Sequence, residues 1–182
     1  DKKAVLMRRA TYASVTVAFG LISIKFVAYI LTGSVALLSS LIDSVLDSLA
    51  SILNFIAVRH ALEPADEEHR FGHGKAEPLA GLGQAAFIMG SSIFLIFEAI
   101  NRFVNPQQIQ HTNIGVGVML ISLFVTILLV IYQRHVVKET GSLAIQADSI
   151  HYFSDIALNI SVILALLISA YTGWTLADPI AA

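Results

Sequence analysis

The sequence predicts an all-α fold, a polytopic transmembrane helix bundle, on two observations. Its 182 residues are 56% hydrophobic and only 13% charged, with a mean hydropathy of +0.76, whereas soluble domains contain about 25% charged residues. Apolar stretches of about 20 residues, the length that a helix needs to cross the hydrocarbon core of a bilayer, recur along the chain. The composition therefore indicates a protein that crosses the membrane several times.

Five apolar stretches are predicted to span the membrane, and a sixth is expected to begin near the end of the sequence. The five cover residues of about 10–32, 35–58, 79–101, 113–133 and 143–171. The residues from Asp178 onward (DPIAA) are interpreted as the start of a truncated sixth span. Residues 1–182 are therefore predicted to form one transmembrane domain.

The predicted spans differ in their polar residues and their connections. The first contains Lys25, and the second and fifth each contain a pair of ionisable residues. The third carries the small-residue run GLGQAAFIMGSS at 81–92, which permits close helix packing. A strongly polar stretch, RHALEPADEEHRFGHGKAEP at 59–78, separates the second span from the third. Residues 134–141 form a shorter polar loop before the fifth span.

The distribution of Lys and Arg predicts the orientation, because cytoplasmic loops carry an excess of both residue types. Nine of them lie in the N-terminal flank, the 59–78 stretch or the 134–141 loop: Lys2, Lys3, Arg8, Arg9, Arg59, Arg70, Lys75, Arg134 and Lys138. The opposite side holds only Arg102. The N-terminus and both loops are therefore predicted to be cytoplasmic.

Charge and cysteine content exclude several classes of function. The net charge of −2 gives no basis for nucleic-acid binding, which depends on basic residues. The chain contains no cysteine, so disulfides, thiolate metal sites and cysteine nucleophiles are excluded. No organic cofactor is predicted.

Two pairs of ionisable residues lie inside predicted spans. Asp43 and Asp47 belong to the second span, and His151 and Asp155 belong to the fifth. Residues four apart share one face of a helix, and an ionisable side chain within the bilayer costs roughly 2.5–3.5 kcal/mol. The helical rise per residue places both pairs in the middle region of the bilayer. Such costly pairs are expected to have a function.

Three carboxylates and one imidazole form a ligand set that suits a divalent transition metal. Carboxylate oxygen and imidazole nitrogen bind Zn²⁺ at about 2.0–2.2 Å in a tetrahedral shell, and two pairs on facing helices can supply four ligands. Because protons compete for these ligands, metal binding releases protons, which provides a mechanism for metal/proton exchange. A proton path without metal and a buried structural cluster are the alternatives that the spacing leaves open.

Further polar residues lie close to these pairs in the sequence. Asn159 is interpreted as a residue that orients a ligand, and Asp148 as one that guides cations at the cytoplasmic mouth, although either can simply line a wet cavity. Lys25 is expected to pair with an acid such as Glu98, or to extend outward to the interface.

The polar stretch at 59–78 contains a second candidate metal site. Asp66, His69 and His73 have the spacing Asp-x2-His-x3-His, which can coordinate a metal in a turn or a short helical segment. Glycines on both sides of His73 favour a close bend of the backbone. The spacing is also compatible with an ordinary solvated loop, since such loops often mix histidines and acids.

Three motifs resemble the cation diffusion facilitator family: TGSVALLSSLIDSVLDSLAS, PADEEHRFGHGKAEPLA and ADSIHYFSDIALN. The resemblance covers essentially the whole chain and is strongest to a bacterial branch of the family. It implies six spans, location in the cell inner membrane, and homodimers with a cytoplasmic C-terminal metal-binding domain. A chain that stops at Ala182 is expected to lack that domain.

The resemblance also implies export of zinc, with cadmium and ferrous iron as related substrates, in exchange for protons. Carried over by position, the transport site consists of Asp43, Asp47, His151 and Asp155. The loop site consists of Asp66, His69 and His73. The implied partners are divalent metal ions, protons, the lipid bilayer and, in the full-length protein, a second copy of the chain.

The predicted function is a transporter that works by alternating access. Two other classes of function are considered as alternatives to it. A membrane-embedded metalloenzyme needs an open coordination position and a general base. No H-E-x-x-H motif is present, and protein ligands are expected to fill all four positions, so no enzymatic activity is predicted. A non-transporting metal sensor would bind metal without moving it.

Overall fold

Five long helices form the structure, a computed structural model that describes residues 2–32, 35–104 and 113–172. They are α1 (Lys2–Thr32), α2 (Val35–Ala61), α3 (Ala76–Val104), α4 (Asn113–Thr140) and α5 (Leu143–Thr172). Each helix contains one of the five predicted spans, so the prediction of an all-α helix bundle is confirmed. The expected sixth span, from Asp178, lies outside the described residues.

The helix lengths suit a bilayer. Within the described residues, three segments are long and apolar enough to cross a membrane by length and composition: Lys2–Leu31, Ser40–Ala61 and Val116–Thr140. The other two helices, α3 and α5, contain 29 and 30 residues, which is more than the approximately 20 that a span needs. These lengths support the prediction of a membrane protein.

The surface of the bundle is apolar, whereas its interior is partly polar. Large apolar side chains are exposed on all five helices, among them Phe26, Leu53, Phe97, Phe124 and Ile150. Polar side chains are buried between the helices, among them Ser14, Asn54, Gln84, Gln133, Asp148 and His151. Soluble proteins bury apolar residues and expose charged ones, so this distribution fits a bundle that faces lipid.

Helix packing brings the two predicted polar pairs face to face. Each helix contacts two neighbours, in the order α1, α2, α3, α5, α4 and back to α1. In addition, α5 contacts α2 and, less extensively, α1. Since α2 carries the Asp43–Asp47 pair and α5 carries the His151–Asp155 pair, their contact creates the place where the candidate ligands can meet.

A hydrophobic cluster closes one end of the bundle. This end carries the connection between α2 and α3 and is named the loop end. The buried residues of the cluster come from all five helices: Met7, Ala10, Val58, Ala80, Val136, Ala144 and Ile145. Close packing of these side chains fixes the helix ends relative to one another.

The predicted loop over 134–141 is wrong, because α4 continues as far as Thr140 and only two residues connect α4 to α5. Gly141 has a φ of +73°, and its N–H donates back into the last turn of α4 at 2.8 Å, which is a left-handed helix cap. Ser142 Oγ accepts a hydrogen bond from the Ile145 N–H at 3.3 Å and caps α5. Glu77 of α3 accepts a further bond from the first turn of α5 at 3.4 Å. These contacts fix the start of α5, about two turns before His151.

Candidate metal centres

Asp47, His151 and Asp155 meet between α2 and α5. His151 Nε2 lies 3.1 Å from Asp47 Oδ1 and 3.8 Å from Asp155 Oδ2. One ligand atom from each residue lies within 4.8 Å of the other two. Two ligands of a tetrahedral zinc ion lie about 3.3–3.6 Å apart, given bonds of about 2.0–2.2 Å. The two distances from His151 Nε2 are therefore within a few tenths of an ångström of those that a small divalent ion needs.

The surroundings of this triad favour a cation. The His151 side chain is only 5% exposed, whereas those of Asp47 and Asp155 are 25% and 28% exposed. Phe87 of α3 packs edge-on to the His151 ring, with centroids 5.9 Å apart. Asp155 Oδ2 is buried and receives no hydrogen bond from the part of the chain that the structure describes. A buried carboxylate oxygen without a donor is unfavourable, and a bound cation would compensate for the missing donor.

Asp43 lies one turn before Asp47 on α2 and is exposed. Its carboxylate does not belong to the compact group that Asp47, His151 and Asp155 form. The structure thus brings together three of the four residues predicted for the transport site. The role of Asp43 as a fourth ligand stays a prediction.

Lys25 of α1 turns toward the interior. Its Nζ donates to Ser44 Oγ at 2.6 Å and to the Ser40 main-chain oxygen at 3.3 Å, both on α2. The expected extension toward the interface is therefore wrong for this residue, because α2 offers acceptors closer by. The side chain of Glu98, the other partner considered, lies outside the described residues.

The Lys25 ammonium group also acts on the candidate metal ligands. It interacts electrostatically with three carboxylates, those of Asp47, Asp43 and Asp155. Ser44 holds the Lys25 amino group at 2.6 Å, so this side chain forms part of the surroundings of the site. The sequence analysis expected Lys25 to pair with an acid, but it did not indicate that this lysine would lie near carboxylates of two other helices.

Asp148 is fully buried, with 0% of its surface exposed. Its carboxylate accepts hydrogen bonds from Ser14 Oγ at 2.8 Å, Gln84 Nε2 at 3.2 Å and Gln133 Nε2 at 2.6 Å. These donors belong to α1, α3 and α4, so one side chain joins three helices to α5. The expectation that Asp148 guides cations or lines a wet cavity is wrong for this conformation, because its donors enclose it.

Sequence reasoning missed the hydroxyl groups that continue this network. Ser51 Oγ lies 3.0 Å from Ser14 Oγ and 2.7 Å from the Tyr152 hydroxyl. A consistent set of donors runs from Tyr152 through Ser51 and Ser14 to the Asp148 carboxylate. Single serines in apolar helices carry little signal, since only packing decides which of them face one another.

Asn159 supports its own helix in this structure. Its Nδ2 donates to the main-chain oxygen of Asp155 at 2.8 Å. The contact stabilises the α5 turn that carries Asp155, rather than binding the Asp155 carboxylate. Asn159 therefore does not contact the Asp155 carboxylate directly in this structure. It could orient this candidate ligand only through the main chain of Asp155.

The second candidate centre lies in the loop between α2 and α3. His69 Nδ1 lies 3.3 Å from Asp66 Oδ1, and His73 Nε2 lies 3.4 Å from Asp66 Oδ2. Ligand atoms of these three residues all lie within 4.8 Å of one another. The His73 side chain is 4% exposed, whereas Asp66 is 52% exposed. The structure therefore brings together all three residues predicted for the loop site.

A turn around Asp66 holds the carboxylate in its charged form. The His69 main-chain N–H donates to Asp66 Oδ1 at 2.5 Å, and this bond is the main cause that lowers the pKa of the Asp66 carboxyl below its ordinary value of 3.8. Because the pKa is lower in the folded state, the stabilisation exists above the ordinary pKa and is lost as pH falls through the folded value. Asp66 is therefore available as an anionic ligand at neutral and mildly acidic pH.

Two further residues at the end of α2 approach the loop site. His60 Nδ1 lies 2.9 Å from Glu63 Oε2, and both residues form a compact group with His73 within the same 4.8 Å limit. Sequence reasoning missed this group, although the His-x2-Glu spacing at a helix end was a visible signal. That signal was incomplete because His73 comes from a distant part of the loop.

Comparison with known proteins shows which family the chain belongs to. Residues 11–182 match the family described as the cation efflux transmembrane domain. A cation-efflux pump FieF from Shewanella oneidensis is 48% identical over 172 residues, which cover 94% of this chain and 58% of that protein. Pumps of the same name from Klebsiella pneumoniae and Salmonella arizonae are 48% and 46% identical over 173 residues, covering 95% of this chain and 57% of each pump.

The matches cover much more of this chain than of its relatives. The chain spans less than three fifths of the length of the relatives, so their complete activity is not transferred to it directly. The family match covers nearly all of the chain, including both candidate metal centres. The chain therefore belongs to the cation-efflux family, as its resemblance to the cation diffusion facilitators implied.

Proposed function

We propose that this chain is the membrane domain of an exporter of divalent metal cations, with Zn²⁺ as its main substrate. The observation that carries the proposal is the meeting of Asp47, His151 and Asp155 between two long helices. The names of the relatives, which are cation-efflux pumps, support the direction of transport. The proposed location is the cell inner membrane, with a cytoplasmic N-terminus.

The types of ligand favour borderline metal ions. An imidazole nitrogen with carboxylate oxygens suits Zn²⁺, and Cd²⁺ and Fe²⁺ are related candidates. Harder ions such as Mn²⁺ prefer oxygen ligands alone, so Mn²⁺ ranks lower. Asp43 would complete a four-ligand shell if its side chain turned toward Asp47, one helical turn away.

Charge balance supports a divalent substrate in this position. The carboxylates of Asp43, Asp47 and Asp155 contribute three negative charges when ionised, and Lys25 contributes one positive charge. A divalent cation brings the sum to zero, whereas a monovalent ion leaves one negative charge uncompensated. Because uncompensated charge is unfavourable inside a bilayer, a neutral loaded site would change conformation most easily.

Metal/proton antiport is the mechanism that the same ligands support. The carboxylates and the imidazole must lose their protons to bind a metal. In an inward-open conformation the deprotonated ligands would take the cation from the cytoplasm. After a change to an outward-open conformation, protons from the far side would displace the cation and reset the carrier. Alternating access of this kind needs a single central site, and the contact between α2 and α5 is the place proposed for it.

The loop site of Asp66, His69 and His73 has a different proposed role. It lies at the loop end, and its ligands Asp66 and His69 are more than half exposed. It is therefore outside the path between the helices and would shape the cytoplasmic opening when occupied. A homodimer of the full-length protein is a separate proposal, and it would place two of these membrane domains, each with its own loop site, side by side.

Metal flux into liposomes tests the proposal against its rivals. Purified protein in otherwise empty liposomes should accumulate Zn²⁺, and to a lesser extent Cd²⁺ and Fe²⁺, as reported by an internal metal-sensitive dye. A metal sensor would bind Zn²⁺ in the same preparation without any flux. A metalloenzyme would likewise show no flux. Zinc binding without accumulation would therefore contradict the proposed transport.

A further inference from the structure

Three histidine rings pack together at the loop end, with His73 in the middle. The centroid of the His73 ring lies 4.3 Å from that of His60 and 4.5 Å from that of His69. His73 Nε2 faces Asp66 at 3.4 Å. His73 Nδ1 is also buried, yet it has no hydrogen-bond partner among the residues that the structure describes. The loop site of Asp66, His69 and His73 therefore leaves one nitrogen of this central ring unexplained.

A second set of ligands stands beside the same ring. His60 Nδ1 lies 2.9 Å from Glu63 Oε2, with the two side chains 48% and 50% exposed. Ligand atoms of His60, Glu63 and His73 lie within 4.8 Å of one another. The Glu63 main-chain N–H donates to the His60 oxygen at 3.0 Å, so the turn that ends α2 holds the pair together. A cation from solvent can reach both exposed ligands directly.

We propose that His60, Glu63 and His73 form a second cation position, which shares His73 with the position formed by Asp66 and His69. Two imidazoles and one carboxylate suit a borderline divalent ion such as Zn²⁺ and leave a fourth coordination position for water. The buried nitrogen of His73 without a partner supports the assignment, because such groups are unfavourable unless a ligand or donor satisfies them.

Sharing of His73 determines how the two positions work together. A neutral imidazole has one nitrogen with a free lone pair and one that carries a proton. His73 therefore serves one position at a time, and the loop holds one ion. An ion that leaves Asp66 and His69 can pass to His60 and Glu63 when the His73 proton leaves Nδ1 for solvent and Nε2 takes up a proton, so that the free lone pair is now on Nδ1.

The second position would connect the loop to a helix, whereas the first lies entirely within the loop. Asp66, His69 and His73 all belong to the loop, whereas His60 belongs to α2. Occupation of the second position would therefore tie the loop to the helix that carries Asp47. This proposal concerns binding at the loop end and does not depend on transport, so it stands or fails separately from the proposed function.

Zinc titration of purified protein in detergent tests the second position. All variants carry Asp47→Ala and Asp155→Ala, which remove binding between α2 and α5. Into this background, Asp66→Asn and His69→Gln remove the first loop position. Asn keeps the oxygen that accepts the His69 N–H bond, so the turn is retained. Folding of each variant is checked by circular dichroism and gel filtration.

The expected result is residual binding that depends on His60. The variant without the first position should still bind about one Zn²⁺ per chain, with affinity lowered about 10–100-fold relative to the intact loop. Addition of His60→Ala should lower it by at least about tenfold again. Addition of His135→Ala, an exposed histidine of α4, should change nothing. Loss of all zinc binding in the first variant, or equal effects of His60→Ala and His135→Ala, would overturn the proposal.

Chemical modification provides a second measurement, made on a variant with His69→Gln alone, in which the first position is weakened and the rest of the loop is unaltered. Diethyl pyrocarbonate should modify His60 more slowly when Zn²⁺ is present, because the metal occupies the reactive nitrogen. The rate at His135 should not depend on Zn²⁺. Equal modification of His60 with and without Zn²⁺ would contradict the proposal even if the combined variants did not fold.

Discussion

His151 Nε2 and Asp47 Oδ1 lie 3.1 Å apart and join α5 to α2 across 104 positions of the sequence. At this distance the two atoms share one hydrogen. Both atoms can bind the same metal ion only after that hydrogen has left, because a lone pair is needed at each ligand atom. Metal binding at the proposed centre would therefore displace this hydrogen, either to His151 Nδ1 or to solvent, and its release to solvent is the proton step that the proposed antiport requires.

Replacement of Asp47 should abolish transport while the bundle still forms. Loss of a residue that merely supports a metal ligand costs about 10–100-fold in affinity or activity, so Asp47→Ala, which removes a ligand, should cost at least as much. Zinc flux into liposomes measures the effect. Leu46→Ala is the matched control, since Leu46 is the exposed neighbour on the same helix. Zinc flux at the wild-type rate in Asp47→Ala would mean that Asp47 does not bind the transported ion.

Replacement of His151 should change the metal preference. His151→Asp turns the nitrogen-containing triad into an all-oxygen one, which favours harder ions such as Mn²⁺ or the larger Cd²⁺ over Zn²⁺. Competition between metals in binding and flux assays measures the ranking. Ser154→Ala, on an exposed part of the same helix, serves as the control. An unchanged ranking in His151→Asp would mean that His151 does not bind the transported ion.

Replacement of His73 should show that the loop site and the transport centre have different functions. His73→Ala removes the ligand that both loop positions use, so metal binding at the loop should disappear. Substantial zinc flux should be retained, because the loop lies outside the interface between α2 and α5. Binding and flux are measured on the same preparation. Complete loss of flux in a correctly folded variant would place His73 on the transport path.

Replacement of Lys25 should strengthen metal binding and slow transport. The Lys25 ammonium group repels a cation near Asp47 and Asp155, so Lys25→Met should tighten zinc binding at the transport centre by about tenfold, or about 1.4 kcal/mol. The loaded site would then carry uncompensated negative charge, and maximal flux should fall. Lys25→Arg keeps the positive charge and should behave more like the wild type. Weaker zinc binding in Lys25→Met would show that Lys25 acts only through packing.

Much of the fold could be predicted from the sequence because membrane spans have a strong signal. Long apolar stretches located all five helices, and spacing of four residues placed His151 beside Asp155 on one face of α5. The helix ends were less predictable. For example, α1 begins at Lys2, well before the first apolar run, because its charged first turns continue the helix beyond the span.

Contacts between residues that are far apart in the sequence could not be predicted from sequence patterns. The inward turn of Lys25 and the enclosure of Asp148 both depend on which serines and glutamines face them across helix interfaces. Apolar periodicity gives no information on such partners. The group of His60 with His73 depends in the same way on the path of the loop between α2 and α3.

Simultaneous measurement of zinc flux and internal pH tests the central claim, metal/proton antiport at the Asp47–His151–Asp155 triad. Liposomes carry the protein, an internal zinc dye and an internal pH dye. Zinc entry should drive protons outward, and zinc affinity should fall as pH drops from about 7.5 to about 5.5, through the range in which imidazoles take up protons. Asp47→Ala should abolish both signals together. Zinc flux without any change in internal pH, with leak excluded, would contradict antiport and indicate a channel or uniporter.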